Sequence, residues 1–160
     1  TRVGGINLDD AIAAYIKRKY NVAVGERTAE EVKIQIGSAL PLEEEMRMDV
    51  RGRDVVAGLP RTISFTSTEA TEAMADSLQA IVNAVKSVLE KTPPELSSDV
   101  IDRGIVMTGG TSLLRNLDTL LTRETGIPCH LAEDPLTCVA NGCGLALEHY
   151  AILRRNLPMP

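Results

Sequence analysis

The chain has 160 residues, 44% of them hydrophobic, which suits one domain or two small subdomains around a real core. With one Phe, three Tyr and no Trp, that core is expected to be aliphatic. The formal charge of −5 argues against nucleic acid as the main partner, and no apolar run reaches the roughly 20 residues of a membrane span.

The first predicted element is a helix opened by Asn7, with Asp9 and Asp10 in its first turn. Leu8, Ile12, Tyr15 and Ile16 share one face, and Lys17, Arg18 and Lys19 close the last turn, as the helix dipole favours. A second helix is predicted from Thr28, where Thr28-x-x-Glu31 has the spacing of a capping box, to Gly37 as C-cap. The acidic run Glu43–Glu45 reads as a solvated segment. The period then changes. Met46, Met48 and Val50 alternate with Arg47, Asp49 and Arg51, and Ile63 and Phe65 continue a second run after Pro60, which predicts two antiparallel strands. Thr66-x-x-Glu69 opens a long helix whose buried stripe is Met74, Leu78, Ile81, Val82, Val85 and Leu89, and Pro93-Pro94 stops it.

A strand over about 103–108, a helix over about 112–124, a strand over about 128–132 and one or two closing helices complete the chain. Alternating strands and helices predict parallel pairing. Residues 6–66 differ in kind, so the chain reads as a small α+β module beside a larger α/β layer.

The strand over 103–108 and the helix after it are joined by Gly109 and Gly110, with Thr111 and Ser112 behind them. Two explanations stay open on these residues alone. Glycine permits a sharp turn, and a hydroxyl can cap the helix. Alternatively, bare backbone at a helix N-terminus accepts a ligand pressed against it. Elsewhere, Glu30 and Lys33 are three apart on one helix face, the spacing of an ordinary surface ion pair. With Glu31 assigned to the capping box, Glu30 is left without a task, and the pair would suit a ribose hydroxyl and an adenine edge. Cys129, Cys138 and Cys143 form no C-x-x-C pair and read as small reduced core residues of a cytoplasmic protein. His130 reads as an exposed strand residue, and neither it nor His149 belongs to a metal motif.

The segments RVGGINLDDAIAAYIKRKYN, GERTAEEVKIQIGSA, LPRTISFTSTE, RGIVMTGGTSLLRNLD and EDPLTCVANGCGLAL follow one another in an order and spacing that resembles the C-terminal half of the MreB/Mbl family of bacterial actin homologues. The resemblance covers essentially the whole chain. It implies an α/β, actin-like (ribonuclease H-like) ATPase domain II with a small α+β subdomain inserted. Residues 6–66 would be subdomain IIB, and residues 1–5 and 67–160 subdomain IIA. It also implies that Gly109, Gly110 and Thr111 form the superfamily's adenosine motif, with Glu30 and Lys33 approaching ribose and adenine from the other subdomain. Gln35 stands where many relatives have Glu, which touches only local helix charge.

The phosphate loops, the catalytic acid, most of the hold on Mg²⁺ and the membrane-binding elements are expected before Thr1. The parent protein would be a cytoplasmic ATP-binding protein that self-associates into membrane-associated filaments, guides peptidoglycan synthesis and maintains rod shape. Its implied partners are a membrane-anchored shape-determining adaptor and the cell-wall synthesis machinery. This chain alone is expected to be inactive. The alternatives are the ATP-binding half of a sugar or acetate kinase, or of an Hsp70-like protein, which share the TGG turn.

Overall fold

The structure, a computed structural model, describes residues 1–156. Helix α1 (Gly5–Tyr20) buries Leu8, Ile12, Tyr15 and Ile16 along the expected stripe. It begins before Asn7, because Asn7 and Leu8 already donate to the Gly4 carbonyl at 3.1 and 3.3 Å. Asn7 caps from inside the first turn, its Oδ1 accepting from the Gly4 amide at 3.0 Å. Helix α2 (Glu26–Ile36) also starts early, on an extended Gly25 whose carbonyl accepts from Ala29 at 3.1 Å. The expected Thr28 capping box therefore does not form. Glu31 lies mid-helix and meets Arg27 one turn back at 3.4 Å.

Strand β1 (Val22–Ala23), too short to show a period, pairs with the end of β2 (Arg47–Asp54). Strand β3 (Pro60–Thr66) completes an antiparallel sheet in the order β1-β2-β3. The pairs Val50↔Ile63 and Met48↔Phe65 carry its inward face. Phe65 is fully buried and meets Tyr15 and Tyr20 edge-on, with centroids 6.0 and 6.3 Å away. The core is mainly aliphatic, as composition requires, yet three of the four aromatics gather at its centre.

The Thr66 box at the head of α3 (Ser67–Glu90) forms in full: Thr66 Oγ1 accepts from the Glu69 amide, and Glu69 Oε2 accepts from the Thr66 amide at 2.9 Å. Met74, Leu78 and Val82 are buried, whereas Ile81, Val85 and Leu89 are half-buried. Pro93-Pro94 follows the end of α3, and Pro94 also starts α4 (Pro94–Arg103), a helix the sequence reading passed over. Proline at a first turn costs no intrahelical hydrogen bond.

Strands β4 (Ile105–Met107) and β5 (Cys129–Leu131) pair in parallel, as the alternation predicts. The helix expected over 112–124 is broken. Gly110–Leu113 is a single 3₁₀ turn, and α5 runs only from Leu117 to Thr125. The interruption has a tertiary cause: the Ala39 amide donates to Arg115 O at 2.8 Å, and Asn116, at φ 61°, donates from Nδ2 to Ser38 Oγ at 3.0 Å. Helices α6 (Cys138–Glu148) and α7 (Tyr150–Asn156) follow. Cys129 is buried, but Cys138 is only partly covered and Cys143 is exposed, because α6 buries no residue among those described. No described helix is long and apolar enough to cross a membrane.

Candidate functional site

A cleft of about 680 Å³ opens between the first turns of α1, one face of α2 and the segment Gly110–Arg115. Its size falls within the roughly 300–1,000 Å³ of small-molecule sites. Four residues singled out in the sequence, Glu30, Lys33, Gly110 and Thr111, line it together although they lie up to 81 positions apart (111 − 30).

The two adjacent glycines do different things. Gly109 does not line the cleft. It sits at φ 85°, ψ 166°, a region essentially reserved for glycine, and its amide donates to Pro135 O at 2.7 Å. Gly110 faces the cleft and has no positive φ. A Cβ there would meet only Leu136 Cδ2 at 3.5 Å, an ordinary contact. Backbone geometry therefore requires the first glycine, while neither geometry nor protein packing requires the second. Behind them, the Ser112 hydroxyl donates to Gly109 O at 2.6 Å and closes the turn. The helix N-terminus expected at this turn is absent. The one that opens on the cleft belongs to α1, sixteen residues long, whose first residue Gly5 lies in the wall.

Lys33 does not pair with Glu30. Its ammonium donates to Asp9 Oδ2 at 2.9 Å and to Gly5 O at 3.4 Å, and lies 2.8 Å from Asp9 Oδ1. Oδ1 is buried and, though that close, has no hydrogen-bond partner. The Lys33 and Asp9 side chains are 14% and 12% exposed. Glu30 is exposed to the cleft and enters no ion pair among the described residues. Ile34, Leu113 and Leu136 add exposed apolar surface to the walls. The site is thus an apolar slot lined by the free Glu30 carboxylate, the paired Lys33 and Asp9, Arg115, whose guanidinium donates to Gly37 O at 3.3 Å, and a bare stretch of backbone. No group of three metal-ligating side chains occurs among the described residues.

Asp9 and Gly5 escaped the sequence reading. Asp9 carried a signal, since it sits beside Leu8 on the stripe that α1 buries, where an unpaired acid would be costly. Gly5 carried none, since only the fold shows that a Cβ there would meet Thr111 Oγ1 at 3.2 Å and Lys33 Nζ at 3.4 Å.

Comparison with known proteins gives this arrangement a context. The family model described as "MreB/Mbl protein" matches residues 1–155. The cell shape-determining protein MreB of Escherichia coli K12 is 53% identical over 147 residues, which are 92% of this chain and 42% of that protein. The chain therefore spans less than half of its relative's length. The crystal structure of MreB5 of Spiroplasma citri bound to AMPPNP superposes with a TM-score of 0.90 at 36% identity, covering 98% of this chain and 47% of that one. A MamK double helical filament shares the fold alone, with a TM-score of 0.66 at 23% identity over 96% of this chain and 45% of that one. The fold is accordingly actin-like, and the chain is a member of the MreB/Mbl family.

Proposed function

We propose that the cleft is the adenosine half of an ATP site, in a protein of the relatives' full length that assembles into filaments and determines cell shape. The observation that carries the reading is Gly110. A glycine that no backbone angle and no protein contact demands leaves its space for something else, and that space opens on Glu30, Lys33 and Thr111. The exposed apolar side chains of Ile34, Leu113 and Leu136 suit the faces of a purine, and a free carboxylate suits ribose hydroxyls. The AMPPNP complex of a 36% identical relative supports the same ligand class.

In this reading Gly109 shapes the turn, Gly110 and Thr111 lie against the nucleoside, and Glu30 and Lys33 face it from α2. Residues 6–66 act as subdomain IIB and residues 1–5 with 67–160 as subdomain IIA, a division that the separate three-stranded and two-stranded sheets support. ATP, when bound, supplies the phosphoryl group that is transferred. In the same reading Mg²⁺ and the outer phosphates are held mainly by the part of the relatives' length that this chain does not cover, and this chain alone does not hydrolyse ATP.

Self-association into cytoplasmic, membrane-associated filaments, guidance of peptidoglycan synthesis, and docking of a membrane-anchored adaptor and the cell-wall machinery complete the proposal. The name of the E. coli relative supports the role in cell shape, and the fold shared with a MamK filament is consistent with self-association. The family match favours this reading over a sugar kinase or an Hsp70-like protein.

The test uses the full-length protein. Filaments should appear by electron microscopy on adding ATP and Mg²⁺. Gly110→Val should abolish both ATP binding and assembly while the melting temperature holds. Normal ATP affinity in a folded Gly110→Val variant would refute the assignment.

A further inference from the structure

Glu30 and Lys33 stand at a spacing that normally brings opposite charges together on a helix surface, yet they do not meet. The reason is on α1. Asp9 takes the Lys33 ammonium at 2.8 and 2.9 Å in a largely covered position, and the Gly5 carbonyl accepts from it as well. Attraction between charges grows as water is excluded, so the covered Asp9 outcompetes the exposed Glu30 for the same cation. We propose that Asp9 is a positioning residue for the nucleoside site: by sequestering Lys33 it leaves the Glu30 carboxylate free to accept hydrogen bonds from the ribose hydroxyls. The inference rests on the adenosine reading of the cleft.

Asp9 lines the cleft, but in this proposal it acts through Lys33 and not on the ligand. Its Oδ1 is buried and its Oδ2 is engaged by Lys33. Its effect runs through two steps, each with a chemical consequence. If Asp9 loses its charge, Lys33 turns to Glu30, and the carboxylate that would read the sugar is occupied. If the cation is then removed as well, Glu30 is free again. A residue with a purely structural role would not show this reversal.

The experiment measures affinities of the full-length protein for ATP and for its 2′-deoxy and 3′-deoxy analogues, with melting recorded for every variant. A hydrogen bond to a charged acceptor is worth about tenfold or more in affinity, so the parent protein should prefer ATP over at least one analogue by about that factor. Glu30→Ala, which removes the acceptor, should lose the preference. Asp9→Asn should lose it too. The double variant Asp9→Asn/Lys33→Met should regain it, whatever its overall affinity, because Lys33 is gone and Arg115, the other cation in the wall, donates to the Gly37 carbonyl at 3.3 Å. The double variant also carries no uncompensated buried charge, so it stays informative if Asp9→Asn alone fails to fold.

A folded Asp9→Asn protein that keeps the ribose preference overturns the inference and leaves the adenosine site standing. A double variant that folds without regaining the preference overturns it likewise. A Glu30→Ala protein indistinguishable from the parent removes Glu30 from the site, and the inference falls with that part of the functional reading.

Discussion

Replacing each glycine of the Gly109-Gly110 turn by alanine separates the two explanations for it. At Gly109 the cost is conformational. With φ 85° and ψ 166°, an L-residue is held where it rarely goes, although no atom lies within 4 Å of its Cβ. Strain of this kind costs about 1–3 kcal/mol. At Gly110 neither strain nor crowding arises, since the added Cβ lies 3.5 Å from Leu136 Cδ2. A change without a structural mechanism stays within about 0.5 kcal/mol. Urea denaturation of the full-length protein without nucleotide, followed by circular dichroism, should therefore show a clear loss for Gly109→Ala and almost none for Gly110→Ala. With ATP present the ranking of affinities should not follow stability: Gly110→Ala should weaken binding despite its intact fold. Equal stability losses for the two variants would refute the division of labour between the glycines.

Other residues give independent checks. Thr66→Ala should cost about 0.5–2 kcal/mol in urea denaturation, because the capping box at α3 is complete. Glu31→Ala should change stability by only a few tenths of a kcal/mol, since its partner Arg27 is almost fully exposed and no cap depends on it. Phe65→Ala should cost about 3–5 kcal/mol, as the largest fully buried side chain is removed. Burial pushes the Glu69 carboxyl up, but hydrogen bonds from Lys19, Tyr20 and the Thr66 amide outweigh it and hold the group below the usual glutamate value of 4.5. A carboxyl with a lowered folded value adds stability that is present above the unfolded value and lost as pH falls through the folded one. Stability measured from pH 6 downward should therefore fall below about 4.5, and Glu69→Gln should flatten that fall.

What the sequence disclosed depended on the range of the interaction behind each element. The α1 stripe, the β2–β3 alternation and the Thr66 box rest on contacts a few residues apart, and all three are present. Helix starts went wrong where glycine served as cap: Gly4 and Gly25 have no side chain to announce the start, so polar residues further along took the credit. The break before α5 was invisible because its cause, Ser38 and Ala39, lies 76 to 78 positions from Arg115 and Asn116. β1 has two residues, too few for a pattern.

The candidate site divides in the same way. Gly110, Thr111, Glu30 and Lys33 could be picked out one by one from residue type and family resemblance, and the fold brings them to one cleft. Their electrostatics could not, because the partner of Lys33 lies on another helix, 24 positions away. Local spacing offered Glu30 instead, and spacing carries no information on which acid is shielded from water. The turn at Gly109 illustrates the remaining gap. Two adjacent glycines look alike in sequence, and only backbone angles and neighbours tell the required one from the spare one.

The central claim is that adenosine lies between α2 and the Gly110 turn. Photolabelling the full-length protein with 8-azido-ATP, followed by peptide mapping by mass spectrometry, tests it most directly. The account predicts label in peptides covering Glu26–Ile36 or Gly110–Arg115, suppressed by excess ATP and absent from Gly110→Val. ATP-protected label confined to peptides outside this cleft would contradict it.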